Sequence, residues 1–353
     1  MSNSPYQDLD PRAYWRTGVS QRSPLEPGDL YHPKFPIRKR KPIVTIGSCF
    51  AQHIGRNLRQ AGFNVMDGEP LHKDFPDELA AKYGYRLFSA RYANVYTARQ
   101  FRQLLDEADG THIPSDRVWK MGDRFVDAQR PGVEPDGLPN EETVLAHREA
   151  HLRVVKDLFT NASTVVFTFG LTEAWQCKES GTVFPTAPGT IAGTFDPERY
   201  EFVNFNMISV FKDFQAIRRK IMDWVPDVKF LITVSPVPLT ATASGQHIEV
   251  ASSYSKSVLR AVCGLAYERF KNVDYFPSYE VMTSQNARGA YYEPNMRSVS
   301  PQGVATAMNL FMSAHGITSK GAASKPKQTT ETEEFDDEDV TACEESLLEA
   351  FAK

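Results

Sequence analysis

The sequence predicts an α/β fold: a three-layer α/β/α sandwich around a central parallel sheet. Three observations carry this. Apolar, β-branched-rich runs recur along the chain, each run is continuously apolar rather than alternating, and helix-patterned segments separate them. A strand that is apolar on both faces must be covered on both faces, which a parallel sheet between two helical layers achieves.

Pro42 to Ile46 reads as the first buried strand, stopping at Gly47. His53 to Ala61 follows as a helix with Ile54 and Leu58 on one face. Thr97 is placed to cap a helix through Leu105, because its hydroxyl can accept from an otherwise orphan amide. Leu145, Leu152, Val155 and Leu158 have helical spacing within Thr143 to Phe159. Thr164 to Phe169, Val228 to Val234 and Asn272 to Phe276 read as three more strands, the last after a long helix from about Ile248 to Phe270. Ser300 followed by Pro301 is a helix start, a capping hydroxyl and then a residue lacking an amide the first turn does not use. Thr111 to Asn140, rich in Gly, Pro and Asp, reads as an irregular insertion over one edge.

With 353 residues, 41% of them hydrophobic and 24% charged, the chain can bury a sizeable core. A net charge of −4 argues against a general nucleic-acid binder. No apolar run approaches the roughly 18 residues of a membrane span, and Met1 to Pro27 lacks the apolar core of a signal peptide. Cys49, Cys177, Cys263 and Cys343 are scattered without a CxxC pair, which argues against a disulfide framework or a four-cysteine zinc site. A cytoplasmic protein is expected. Three regions are expected: an N-terminal extension (1–40), an α/β domain (41–315) and a disordered acidic tail (316–353). From Gly316 onward ten acidic residues face four basic ones. Ser319 to Thr330 reads as a disordered linker; beyond it Val340, Leu347, Leu348 and Phe351 could line a short helix. The composition favours a solvated tail over a segment that docks a protein partner.

In an open parallel sheet, ligands bind beyond the carboxyl ends of the strands. Those ends are Gly47-Ser48-Cys49, Gly170-Leu171-Thr172-Glu173, Ser235-Pro236-Val237-Pro238 and the segment after Phe276-Pro277. Ser48 sits at a strand-to-helix turn, where it could serve as a nucleophile or merely cap the helix; local sequence favours the cap. Cys49 beside it is a rival nucleophile or a small buried residue under the turn.

Gly-Ser-Cys-Phe-Ala over residues 47–51 changes those odds. With Ser89 to Gln100, Phe169 to Trp175, Thr233 to Leu239 and Tyr254 to Arg260, in that order, it resembles the GSCFA family over nearly the whole body. That family resembles a branch of the SGNH (GDSL-type) hydrolases, flavodoxin-like three-layer proteins that include esterases and acyltransferases, often acting on carbohydrate esters. The resemblance implies Ser48 as nucleophile. It implies an oxyanion hole from the Ser48 or Cys49 amide, Asn94, and the Gly170–Thr172 block, where Thr172 stands in place of an asparagine and Glu173 in place of an aspartate. The last block departs from the pattern: Asn295 and Ser298 stand where the acid and the histidine of Asp-x-x-His belong, although Ser300 and Gly303 keep the register. A serine cannot take a proton at neutral pH as an imidazole can.

A base must then come from elsewhere. His247 follows the loop that leaves Ser235, on the same rim as Ser48, and is the candidate; the alternative is a surface histidine at a helix start. His53 reads as a packing or solvent-facing residue, and His147 with His151 as a solvated helix face rather than half a metal site. Glu173, Ser235 and Arg297 are candidates for substrate contact, and Lys256 for a cation or a helix-face residue. The expected function is an esterase or acyltransferase on an O-acyl ester, of a small molecule or of a glycan or glycan precursor, with no metal and no organic cofactor. The alternative is a non-catalytic module of the same fold that binds a glycan or a protein. Thiol chemistry at Cys49 is a third.

Overall fold

The computed structural model describes residues 4–23, 25–317 and 344–352. Along the body run β1 (Ile43–Gly47), α1 (Phe50–Gln60), α2 (Asp77–Lys82), α3 (Ala98–Ala108), β2 (Val118–Met121), β3 (Arg124–Asp127), α4 (Glu141–Asn161) and β4 (Thr164–Phe169). There follow β5 (Glu173–Cys177), β6 (Val183–Phe184), β7 (Tyr200–Asn204), α5 (Met207–Trp224), β8 (Lys229–Val234), α6 (Ile248–Arg269), β9 (Val273–Tyr275), α7 (Ser278–Thr283) and α8 (Pro301–Ala314).

The four continuously apolar runs form one parallel sheet in the order β1-β4-β8-β9. Alternate residues face opposite layers. Val44, Ile46, Val165, Phe167, Phe169, Phe230 and Ile232 pack against α3, α4, α5 and α6, while Ile43, Val166 and Leu231 pack against α1, α7 and α8. This is the expected three-layer α/β/α fold. On the outer side of β1, Ile43 makes a single parallel bridge to Val65. The chain order therefore reverses at β1, with residue 65 on one side and β4 on the other. Ligands of doubly wound sheets bind at such a switch point.

Helix starts follow their caps. Thr97 accepts from the Gln100 amide and Ser300 from that of Gly303, as the sequence predicts, and Asn140 caps α4. Helix α1 begins three residues earlier than expected, because Phe50 and Ala51 are themselves buried. Part of the N-terminal extension belongs to the core: Tyr31 and Ile37 are buried with α8, and the Tyr31 hydroxyl and the Lys34 amide both donate to Asp274 (3.0 Å each). The linker 319–330 and Val340 lie outside the described residues; Glu344–Phe351 forms a 3₁₀ helix with Leu347 and Phe351 exposed.

Two readings of the sequence need correction. The insertion 111–140 is not merely irregular cover: it contains the antiparallel hairpin β2–β3. Trp119, Val126 and Ala128 of this insertion are buried with Cys177, Phe184 and Tyr200 of the small sheet β6-β5-β7. Nor is the face of His147 and His151 uniformly solvated. His147 is exposed, but His151 is fully buried, its Nδ1 2.9 Å from Glu69 Oε2. The insertion and the loop at Glu69 cover it, bringing Arg130 to Asp127 (2.8 Å) and leaving Arg148 bonded to Glu107.

Burial, helped by the Arg130 charge and opposed by Glu69, pushes the His151 imidazole down to about 4. Burial raises the Glu69 carboxyl, but His151, Arg130 and the Arg91 amide outweigh it and bring it to about 2. An unfolded histidine takes its proton near 6.5, so between about 6.5 and 4 the unfolded state binds the extra proton and stability falls with pH. Glu69 adds a second loss below its usual value near 4.5. The urea midpoint should therefore drop between pH 7 and 4.5, by on the order of 2 kcal/mol in stability. His53 and His315, also pushed by burial to about 4, act in the same window, so His151→Gln should make that upper part of the curve shallower; an unaltered slope would mean His151 is not held neutral.

Candidate functional site

β1 ends at Gly47, with φ +141°, where a Cβ would lie 2.5 Å from the Thr168 carbonyl oxygen and 2.7 Å from its nitrogen. Glycine alone fits both the dihedral and the contact, so β1 stays against β4 to its last residue. The Ser48 amide adds one further bond to the Thr168 carbonyl (3.2 Å), and the chain then turns directly into α1. Cys49 holds the N-cap position and is buried, with no side-chain capping bond. Ser48 is 2% exposed, and its Oγ has no hydrogen-bond partner among the described residues. It does not cap the helix.

Two loops close on this turn. The Val95 amide donates to the Gly47 carbonyl (2.9 Å), and the Gly170 and Leu171 amides both donate to the Tyr96 carbonyl (3.0 Å each). Gly170 approaches so closely that a Cβ there would lie 2.8 Å from Ser48 Cβ. Asn94 is buried; its Oδ1 accepts from Gln52 (3.4 Å) and its carbonyl from Gln100 (3.0 Å), which also accepts the Tyr96 amide (2.9 Å). Ser48, Asn94 and Gly170, predicted separately, are thus brought together.

The donors expected at the far side are already engaged. The Gly170 amide serves Tyr96, the Thr172 hydroxyl donates to Asn204 Oδ1 (2.7 Å), and the Thr172 amide donates to Ser255 Oγ (3.1 Å). Glu173 opens β5 and accepts from the Thr242 hydroxyl (2.9 Å); burial raises its carboxyl above the usual range. That contact ties the loop carrying His247 to the Gly170 loop. Ser235 is buried at the end of β8, its Oγ accepting from the Val237 amide (3.3 Å).

His247 is exposed and caps α6, its Nδ1 accepting from the Glu249 amide (3.2 Å). An Nδ1 that accepts leaves the proton of the neutral ring on Nε2, so the ring as arranged offers Ser48 no free acceptor. His53, half-buried on α1 beside the Phe50 ring, is pushed by burial and by Arg56 to about 4. In the last block Asn295 and Ser298 bond to each other: Asn295 Nδ2 donates to Ser298 Oγ (3.0 Å), and Asn295 Oδ1 accepts the Arg297 and Ser298 amides (2.9 Å each). The two positions at which the resemblance expects an acid and a histidine form a surface Asx turn.

Beyond β8 and β9 lies a cleft of about 290 Å³ lined by Pro236, Pro238, Lys256, Tyr279, Tyr292 and Met296 among others. Gln52, Gln100, Asn204 and Ser255 were not singled out by sequence. Gln52 stands one helical turn after Ser48, and Gln100 and Ser255 lie within the motif blocks, but no spacing indicated their partners.

The family model for GSCFA matches residues 42–311, well over half of the chain. The protein belongs to the GSCFA family. No curated protein matches the chain. Among the described residues, no helix is long and apolar enough to cross a membrane.

Proposed function

We propose that this GSCFA-family protein is an SGNH-like serine esterase or acyltransferase acting on an O-acyl ester, with a glycan or glycan precursor as the first substrate class to test. Ser48 Oγ bonds to the ester carbonyl carbon, the carbon–oxygen bond to the alcohol breaks, and the serine proton passes by way of a base to the departing alcohol. Water or a sugar hydroxyl then takes the acyl group from Ser48. The Ser48 amide is taken by the Thr168 carbonyl (3.2 Å), so the amides of Cys49 and Asn94 are the proposed donors to the oxyanion. Glu173, Ser235 and Arg297 remain the proposed substrate contacts, and the cytoplasm the proposed location.

The observation that carries this reading is the Ser48 hydroxyl itself. A buried hydroxyl without a partner is unfavourable and calls for a reason. The hydroxyls of Thr45, Thr168, Thr186 and Thr240 share that condition, but Ser48 lies at the end of β1, at the switch point of the sheet. His247 is proposed as the base, which requires it to give up its cap on α6.

A second reading, a non-catalytic glycan- or protein-binding module, is favoured by the Asn295–Ser298 turn and by the low exposure of Ser48 and Cys49. Turnover of acetyl esters, first p-nitrophenyl acetate and then O-acetylated saccharides, separates the two. The esterase reading predicts turnover that His247→Ala lowers by roughly 100-fold. Turnover untouched by His247→Ala would reject this base, and none with any ester would favour the binding module.

A further inference from the structure

We infer that Ser255 and Lys256, adjacent on α6, are positioning residues that hold the Gly170–Thr172 loop in place behind Ser48. The catalytic consequence rests on the esterase reading above; the clamp itself rests on geometry. Lys256 Nζ donates to the Gly170 carbonyl (2.8 Å), and Ser255 Oγ accepts the Thr172 amide (3.1 Å). One helix therefore grips both ends of a three-residue loop. Both side chains are interior, Ser255 fully and Lys256 with 3% exposure.

The loop has little choice of conformation once gripped. The amides of Gly170 and Leu171 are held by Tyr96, the Gly170 carbonyl by Lys256, the Thr172 amide by Ser255 and the Thr172 hydroxyl by Asn204. Gly170 packs directly on Ser48, so a shift of this loop moves the wall against which the serine rests. Taking an ammonium out of water is unfavourable unless the position compensates it, and a charge-assisted bond to a carbonyl holds more firmly than a neutral one. Lys256 also lines the cleft beyond β8 and β9. It thereby joins the wall of that cleft to the loop at the serine. This role is additional to the two that sequence suggests, a cation for an anionic substrate or a helix-face residue.

Two measurements on the full chain test this, with Ser255→Ala, Lys256→Met and Lys256→Arg beside the wild type. The first is amide hydrogen exchange read on peptides covering 168–175. Ser255→Ala and Lys256→Met should each speed exchange there at least tenfold, with the β8 peptides unchanged. Unchanged exchange in both variants would overturn the clamp. The second is the rate at which a fluorophosphonate labels Ser48. It should fall at least tenfold in Lys256→Met and recover in part in Lys256→Arg, out of proportion to any change in melting temperature. Equal labelling rates in all four proteins would leave a structural bond only and overturn the positioning role. If the wild type takes no label, the esterase reading fails instead, and exchange alone decides the clamp. Should Lys256→Met fail to fold, Ser255→Ala carries both measurements.

Discussion

Ser48→Ala should reduce ester turnover by roughly a thousandfold or more while leaving the protein as stable as wild type, or more so. The two halves of this expectation have one cause. The Ser48 hydroxyl is buried and makes no hydrogen bond among the described residues. Its removal therefore breaks no bond, and it relieves the desolvation of an unsatisfied polar group, worth about 1 kcal/mol or more. The Ser48 amide and carbonyl, which hold the turn to Thr168 and Ala51, are untouched by the substitution. A serine kept only to build the turn would behave differently, since its loss would lower stability. Thermal melts of the two proteins, run beside the turnover assay, distinguish these cases. A variant less stable by 1 kcal/mol or more would count against a hydroxyl retained for chemistry.

Gly47→Ala should be the most destabilising single-methyl addition near the site, by roughly 3 kcal/mol or more. Two penalties act together. The residue sits at φ +141°, and the new Cβ would lie 2.5 Å and 2.7 Å from backbone atoms of Thr168, which have no rotamer by which to escape. The strand end must then move away from β4, taking the Ser48 amide off the Thr168 carbonyl. Urea unfolding measures this directly. Gly170→Ala makes a useful contrast: its Cβ would meet Ser48 Cβ at 2.8 Å and the Tyr96 carbonyl oxygen at 3.1 Å without a left-handed dihedral, so it should cost less stability than Gly47→Ala while displacing the serine.

The sheet was legible in the sequence because its strands are buried on both faces and so read as unbroken apolar runs. β1, β4, β8 and β9 fall within a residue or two of the expected positions, and Thr97 and Ser300 cap where their hydroxyls suggest. β5 and β7 were not legible. Residues such as Trp175, Gln176, Glu201 and Phe202 are only partly buried, so neither strand carries a continuous or cleanly alternating pattern. The hairpin β2–β3 was hidden for the same reason inside a polar, glycine-rich stretch.

At the site, local motifs identified the turn and its loops but not what those loops bond to. Gln52 on Asn94, Lys256 on Gly170 and Ser255 on Thr172 join residues 42, 86 and 83 positions apart, which periodicity cannot pair. His147 and His151 make the same point for burial. They share a helix face, yet only His151 lies beneath the residues that the folded chain brings over α4.

Whether Ser48 is an activated nucleophile is decided by covalent capture. Purified protein is treated with a fluorophosphonate across pH 6 to 9, and any adduct is located by mass spectrometry. One adduct is expected, on Ser48, with labelling that rises with pH and disappears in Ser48→Ala. No adduct on a protein shown to be folded, or an adduct on any other serine, would contradict it.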